Sequence, residues 1–240
     1  MVLLSIVLPV FNEEKILAEN FQKIHSFLKG NIPAYEIILG NDGSTDNSLS
    51  IIKELKEKYE NVKYVTQDIN TYRGFILTKA MRIAGGDYIG YLDIDLEIDF
   101  LYIKDFLKLL ENDNYDVVIA SKYIERDTLK DLKKFRYFLH LVHYCTVKTL
   151  LNSDIRDNQG GLKIFKKAAI KSILDEIILT DWMWDTEVLT RLQNKGYRIK
   201  EFPVKLNAID RRSKIKFLKA SIKSFISILY LFSKGIRVKS

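Results

Sequence analysis

Apolar positions recur along this chain with two periods, and the two alternate. Leu3–Val10 is a continuous apolar, β-branched run that predicts a buried strand. Glu13–Lys29 has helical spacing, with Ile16, Leu17, Phe21, Ile24, Phe27 and Leu28 on one side. Tyr35–Leu39 predicts a second strand, and Thr45–Tyr59 a helix capped by Ser44 or Thr45. Val62–Val65, Asp87–Leu92 and Asp116–Ala120 read as further strands, with helices at Ile76–Ala84 and Ile103–Glu111 between them. Strands alternating with helices of this length imply βαβ units, and so an α/β fold with a mostly parallel central sheet and flanking helices. In such sheets ligands bind beyond the carboxyl ends of the strands.

The second half is less regular. Lys133–Leu151 predicts a helix, with Phe135, Phe138, Leu139 and Val142 at core spacing, followed by a loop over Asn152–Gly161. Thr186–Asn194 predicts a helix, Arg198–Val204 a strand and Ile215–Phe232 a final helix.

Composition changes this picture only at the end of the chain. The sequence is 47% hydrophobic and 29% charged, which is ordinary for a globular protein, and no linker-like stretch interrupts it. One domain over residues 1–210 with a tail over 211–240 is expected. The start, Met1 to Val10, lacks a basic flank and reads as a strand rather than a signal peptide. Cys145, the only cysteine, has apolar neighbours and is expected to be buried, in keeping with a reducing cytoplasmic compartment. The formal net charge is +7, yet Arg211–Ser240 holds nine Lys/Arg and no acid, which leaves the first 210 residues at −2. The basic character belongs to the tail, so the anionic partner it implies is local, and no nucleic-acid partner is expected.

Within the tail, Lys216, Lys219, Lys223 and Ser227 fall on one helical face. Ile215, Leu218, Ile222, Phe225, Ile226 and Leu229 fall on the other. The Lys-free stretch, Ser224 to Ser233, is much shorter than the roughly 20 apolar residues a spanning helix needs. A cationic amphipathic helix of this kind lies in the plane of an anionic membrane surface. The expectation is a peripheral protein on the cytoplasmic face of a membrane. The alternative is that the apolar face packs on the domain, or on a second copy in a homo-oligomer.

Four constellations carry chemistry. Asp93-Ile94-Asp95-Leu96-Glu97 directly follows the apolar Tyr88–Leu92 run. Acids at alternate positions share one face of an extended chain, and clustered carboxylates suit a hard divalent cation such as Mg²⁺ or Mn²⁺. An EF-hand does not fit, because Ile98 and Lys104 stand where Gly and Glu are required. Asn41-Asp42-Gly43-Ser44-Thr45-Asp46 lies between a strand and a helix, where Asp42 can accept hydrogen bonds from a base or ribose; a plain capped turn is the alternative. Pro9-Val10-Phe11-Asn12-Glu13-Glu14 sits at another strand end. Asp157–Phe165 contains the paired Gly160 and Gly161, which allow close backbone approach to a ligand, or form a hairpin-like loop. No G-x-G-x-x-G occurs, so a dinucleotide-binding site is unsupported.

Together these residues resemble the family 2 glycosyltransferases with the GT-A fold, and more closely the dolichyl-phosphate mannose and dolichyl-phosphate glucose synthases. The matches are Pro9, Phe11, Asn12 and Glu13; Asn41–Ser44, with Asn41 replacing the first Asp of the family turn; Asp93 and Asp95; Asp157–Phe165; Trp182, Trp184, Asp185 and Glu187; and Ser213-Lys214 after Arg211 and Arg212. Glu97 stands where these synthases often have Gln. The resemblance implies inverting transfer of a hexose from a nucleotide-diphospho-sugar donor, of GDP-mannose or UDP-glucose type, to a polyprenyl or dolichyl phosphate.

By the same resemblance, Pro9, Phe11, Asn12, Glu13, Asp42 and Arg73 would contact the donor. Asp93 and Asp95, with Glu97, would hold the metal. Arg212 and Lys214 join Asp93 and Asp95 in the reaction. Lys122, Arg136, His140, Arg211, Arg212 and Ser213 would receive the acceptor phosphate; His140 departs from the Ser often found at its position. For Trp184, core packing outweighs sugar stacking. The rival readings are a related enzyme acting on a glycan or other lipid, and a non-catalytic adaptor on the same fold.

Overall fold

The computed structural model describes residues 3–124, 134–207 and 217–239. Strands β1 (Leu4–Val10), β2 (Tyr35–Asp42), β3 (Val62–Gln67), β4 (Tyr88–Leu92), β5 (Val117–Ser121), β6 (Leu162–Lys166) and β7 (Ile199–Pro203) form one seven-stranded sheet in the order β3-β2-β1-β4-β6-β5-β7. The β1–β2, β1–β4, β2–β3 and β5–β7 pairs are parallel, as expected from the βαβ pattern. The exception is β6, which runs antiparallel to both β4 and β5. It occupies the end of the stretch read from sequence as a loop or hairpin. Its antiparallel course carries the chain back along β4, so Gly161 arrives beside Asp93, where the Asp93 N–H donates to the Gly161 carbonyl at 2.9 Å.

Helices cover both faces. On one lie α1 (Leu17–Asn31), α2 (Ser48–Lys58) and α4 (Ile103–Asn112); on the other lie α3 (Arg73–Ile83), α6 (Lys167–Lys171) and α7 (Trp184–Asn194). Alternation along β1 shows why both faces are apolar: Leu4, Ile6 and Leu8 join the first core, and Val7 the second. Phe21, Ile24 and Leu28 of α1 are fully buried there, each side chain contributing about 1.5–3 kcal/mol. Helix α5 (Lys134–Leu151) packs on α8 (Phe217–Ser233), with Val147 and Leu151 meeting Ile228, Leu231 and Met183 in a third, smaller cluster.

Several local expectations change. Helix α2 begins at Ser48, beyond the expected caps, because Ser44 and Thr45 are engaged elsewhere: the Ser44 hydroxyl accepts the Asn12 N–H at 3.1 Å, and the Thr45 N–H donates to Asn12 Oδ1 at 2.8 Å. Cys145 is exposed rather than buried. Phe138 and Val142 are also exposed rather than in the core, since α5 turns Val147 and Leu151 inward instead. On α8 the inward residues are Ile228 and Leu231, so Phe225, Ile226 and Leu229 remain exposed. Among the described residues, no helix is long and apolar enough to cross a membrane.

Candidate active site

The carboxyl ends of β1, β2 and β4 meet at one edge of the sheet. The two loops after β1 and β2 are stapled together. Besides the Asn12 contacts, the Glu13 N–H donates to Ser48 Oγ at 2.9 Å, the Glu14 N–H to Asp46 at 3.1 Å, and the Asn47 N–H to Glu14 at 3.0 Å. Asn12 therefore braces the site from below, with φ of 54°. Pro9 is half-buried and Phe11 is exposed at the rim, available to an incoming ring.

Asp42 is buried at the end of β2. It accepts hydrogen bonds from Gln67, from Asn70 at 3.1 Å and from the Thr71 N–H at 3.1 Å. Burial pushes its carboxyl above the usual range, against those hydrogen bonds. Gly43, at φ 69°, lies against the Ile69–Asn70 backbone, so the turn brings the 67–72 segment over Asp42.

The acidic run after β4 departs from the expected extended form. The Leu96 N–H donates to the Asp93 carbonyl at 3.1 Å, and Leu96 has φ of 57°, so the chain turns. The alternation survives the turn: Ile94, Leu96 and Ile98 are buried, while Asp93, Asp95 and Glu97 are half-buried. Among the described residues, no three His, Cys, Asp or Glu side chains converge as a ready metal cage.

Asp93 instead faces Arg73, whose Nη1 donates to both of its carboxylate oxygens at 2.8 Å. Burial raises the Asp93 pKa, Asp95 repulsion adds to it, and Arg73 opposes both. The other guanidinium nitrogen, Nη2, pairs with Asp185. Asp185 in turn takes Lys163 Nζ at 3.0 Å and the Tyr91 hydroxyl, and Lys163 donates to Tyr91 and to the Gly160 carbonyl, each at 2.8 Å. Despite burial, Lys163 and Arg73 hold the Asp185 carboxyl below its ordinary range. Burial pushes Lys163 down. The result is a chain of alternating charge, Asp93–Arg73–Asp185–Lys163, running from the site surface into the interior. Lys163 and Asp185 lie in stretches matched to the family from the sequence but have no role assigned there, and Tyr91 reads only as part of an apolar strand. Trp184 packs in the core as expected, its indole N–H donating to Thr78 at 2.8 Å.

The Asp157–Gly161 loop links this network to a second cluster. Lys122 is buried, its ammonium 3.4 Å from Asp157 and 5.1 Å from the centre of the Tyr123 ring. His140 stacks on the other partner, Tyr123, at 3.3 Å between ring centres. Burial depresses the His140 pKa to about 4, so its imidazole is neutral near pH 7. Lys122 and His140 are thus brought together, though Lys122 is paired rather than extended into solvent. The Arg136 side chain, and all of Arg211, Arg212, Ser213 and Lys214, lie outside the described residues.

Comparison with known proteins names the family. The description Glycosyl transferase family 2 matches residues 5–174. The chain belongs to this family. Its fold is the GT-A fold of solved glycosyltransferases. A mycobacterial glucosyl-3-phosphoglycerate synthase, in complex with Mn²⁺, UDP and phosphoglyceric acid, superposes with TM-score 0.71 at 17% identity over 96% of this chain and 78% of that one. The mannosyltransferase PcManGT of Pyrobaculum calidifontis, in complex with GDP-Man and Mn²⁺, gives 0.65 at 18% identity over 99% and 65%. Among curated relatives, glycosyltransferase AglD of Haloferax volcanii is 30% identical over 83% of this chain, which spans 32% of that protein. A dolichyl-phosphate beta-glucosyltransferase of Trichomonas vaginalis is 28% identical over 87% of this chain and 67% of its own length.

Proposed function

We propose that this chain is an inverting, metal-dependent hexosyltransferase that moves a sugar from a nucleoside-diphosphate donor to a polyprenyl phosphate at a membrane surface. One observation carries the reading: the Asp157–Gly161 loop joins the acidic run at the end of β4, through Gly161 against Asp93, to the buried Lys122, through Asp157. The first suits a cation-bound diphosphate and the second a phosphate acceptor. The Trichomonas relative, and a Dictyostelium discoideum protein 25% identical over 99% of this chain, are named dolichyl-phosphate beta-glucosyltransferases, which favours UDP-glucose as donor.

The donor set fits a hard divalent ion. Mg²⁺-type sites commonly use one or two carboxylates and complete the shell with phosphate oxygens, so a three-acid cage is not required. Asp93 and Asp95, with Glu97, would hold the ion, which would stabilise the negative charge on the departing diphosphate. Asp42 and Phe11 would receive the nucleoside. A phosphate monoester, with a second pKa of about 6, is already anionic near neutral pH and needs no general base. Its oxygen attacks the anomeric carbon opposite the nucleotide, and the old C1–O bond leaves with its electron pair on the nucleoside diphosphate. Lys122, with Arg136, His140, Arg211, Arg212, Ser213 and Lys214, would position that oxygen.

We read residues 1–210 as the catalytic unit and 211–240 as a tail at the membrane's cytoplasmic face. The exposed Tyr137, Phe138, Leu141 and Val142 of α5 and Phe225, Ile226, Leu229 and Phe232 of α8 support membrane contact. The test is a panel of radiolabelled UDP-glucose, GDP-mannose and UDP-N-acetylglucosamine with polyprenyl phosphate or phosphoglyceric acid, under Mg²⁺ or Mn²⁺. Label from UDP-glucose entering the organic phase only with polyprenyl phosphate is the expected result. Label passing to phosphoglyceric acid instead would overturn the lipid acceptor, and no transfer under any condition would overturn the enzyme.

A further inference from the structure

Arg73 is forked between two carboxylates in unlike surroundings. Asp185 is 1% exposed and has a second cation, Lys163, at 3.0 Å, whereas the Asp93 side chain is 31% exposed and pairs with Arg73. One prong of the fork is therefore anchored in the interior and the other lies at the site surface. The backbone beside it is closely packed. Tyr72 holds φ of 74°, and a side chain at Gly74 would meet Trp184 Cβ at 2.5 Å and the Thr180 carbonyl at 2.6 Å. Any adjustment of Arg73 must come from its side chain.

We infer that Arg73 is a resident counter-cation for Asp93, exchanged for the divalent ion only when a nucleoside diphosphate enters with it. This rests on the metal–nucleotide reading above. Asp93 in the structure already has a full positive charge across both oxygens. A guanidinium does not lose its proton in a protein, so it cannot yield to a metal ion by becoming neutral. A divalent ion arriving alone would have to take Asp93 from Arg73, leaving the guanidinium beside two added positive charges and its Nη1 donors without an acceptor. A diphosphate removes that conflict, because the Nη1 donors released by Asp93 gain phosphate oxygens as acceptors, while Nη2 remains on Asp185. Guanidinium–phosphate pairing of this forked kind is strong and directional. Arg73 is thus a positioning residue that couples metal binding to donor binding and keeps the unloaded site from retaining free metal.

Coupling between two ligands is reciprocal, so it can be read from either one. Free Mn²⁺ is measured by its solution paramagnetic resonance signal during titration of the full chain, with and without UDP or GDP. For the wild type, Mn²⁺ should bind weakly alone and about tenfold or more tightly with the diphosphate, within the usual range of such couplings. Arg73→Gln should bind Mn²⁺ alone about fivefold more tightly than wild type, and its gain on adding the diphosphate should shrink by a similar factor. Arg73→Lys, which keeps the charge, should bind Mn²⁺ alone as weakly as wild type. A folded Arg73→Gln that binds Mn²⁺ alone no better than wild type overturns the inference while leaving the donor site standing. Should that variant not fold, tight Mn²⁺ binding by Arg73→Lys alone, or by wild type without diphosphate, overturns it equally. Absence of Mn²⁺ binding by wild type even with either diphosphate would remove the metal–nucleotide reading, and the inference with it.

Discussion

Lys163 shows how much of this site depends on a residue that never reaches the surface. It is fully buried, yet it is one of two cations on Asp185 and the donor that fixes Tyr91 and the Gly160 carbonyl. Removing one partner of a buried ion pair leaves the other charge uncompensated, at a cost of about 3–5 kcal/mol. Lys163→Met should therefore lower unfolding free energy by about that amount, measured by denaturant titration, whereas Lys163→Met combined with Asp185→Leu should recover part of it. A single variant as stable as wild type would mean that the Asp93–Arg73–Asp185–Lys163 chain does not hold the site together. At this scale the acids and their spacing were legible: the in/out alternation of Asp93 to Ile98 matches the residue pattern. The partner of Asp93 was not, because Arg73 opens α3 and Asp93 follows β4, and the two meet only once α3 packs across the sheet. The paired glycines are expected to admit a ligand, but the neighbour that Gly161 admits is Asp93. A side chain there would come within 2.6 Å of Asp93 Oδ2, so the glycine preserves the acid's position.

The parallel half of the sheet followed directly from the strand and helix periods, since each strand was a short apolar run and each helix had one apolar side. Strand β6 was lost because its run is short, contains Lys163 and follows two glycines, all of which read as loop. The amphipathic tail is a helix as expected, and Phe225, Ile226 and Leu229 of its expected apolar face are exposed, but a second apolar side packs on the domain. Ile228 and Leu231 pack with Val147 and Leu151, a choice set by α5, which periodicity within the tail cannot reveal. This changes the test of membrane contact. Deleting the tail would uncover the α5 cluster and create a new apolar patch, whereas Phe225→Ser, Ile226→Ser and Leu229→Ser alter only exposed positions. The triple variant should keep its melting temperature within a few degrees and lose most co-sedimentation with anionic liposomes, because interfacial affinity scales with buried apolar area. Undiminished liposome binding would show that the tail's outer face is not the contact surface.

Across the whole molecule, a parallel sheet delivers β1, β2 and β4 to one edge, and the antiparallel β6 adds a loop that joins that edge to the Lys122 cluster. This arrangement places the acidic run after β4 and the Lys122–Asp157 pair at the two ends of one loop, while α5 and α8, joined by the third cluster, expose apolar side chains on their outer faces. We propose that the acidic run after β4 holds the divalent ion used in glycosyl transfer to a lipid phosphate. The most direct measurement is the initial rate at which label from UDP-glucose enters organic-extractable lipid, for wild type and for Asp95→Ala, with Mn²⁺ present and after chelation. Loss of a metal ligand removes several kcal/mol of transition-state stabilisation, so a folded Asp95→Ala should be slower by about a hundredfold or more, and chelation should abolish the wild-type rate. Near-wild-type transfer by folded Asp95→Ala, or transfer indifferent to chelation, would contradict the account.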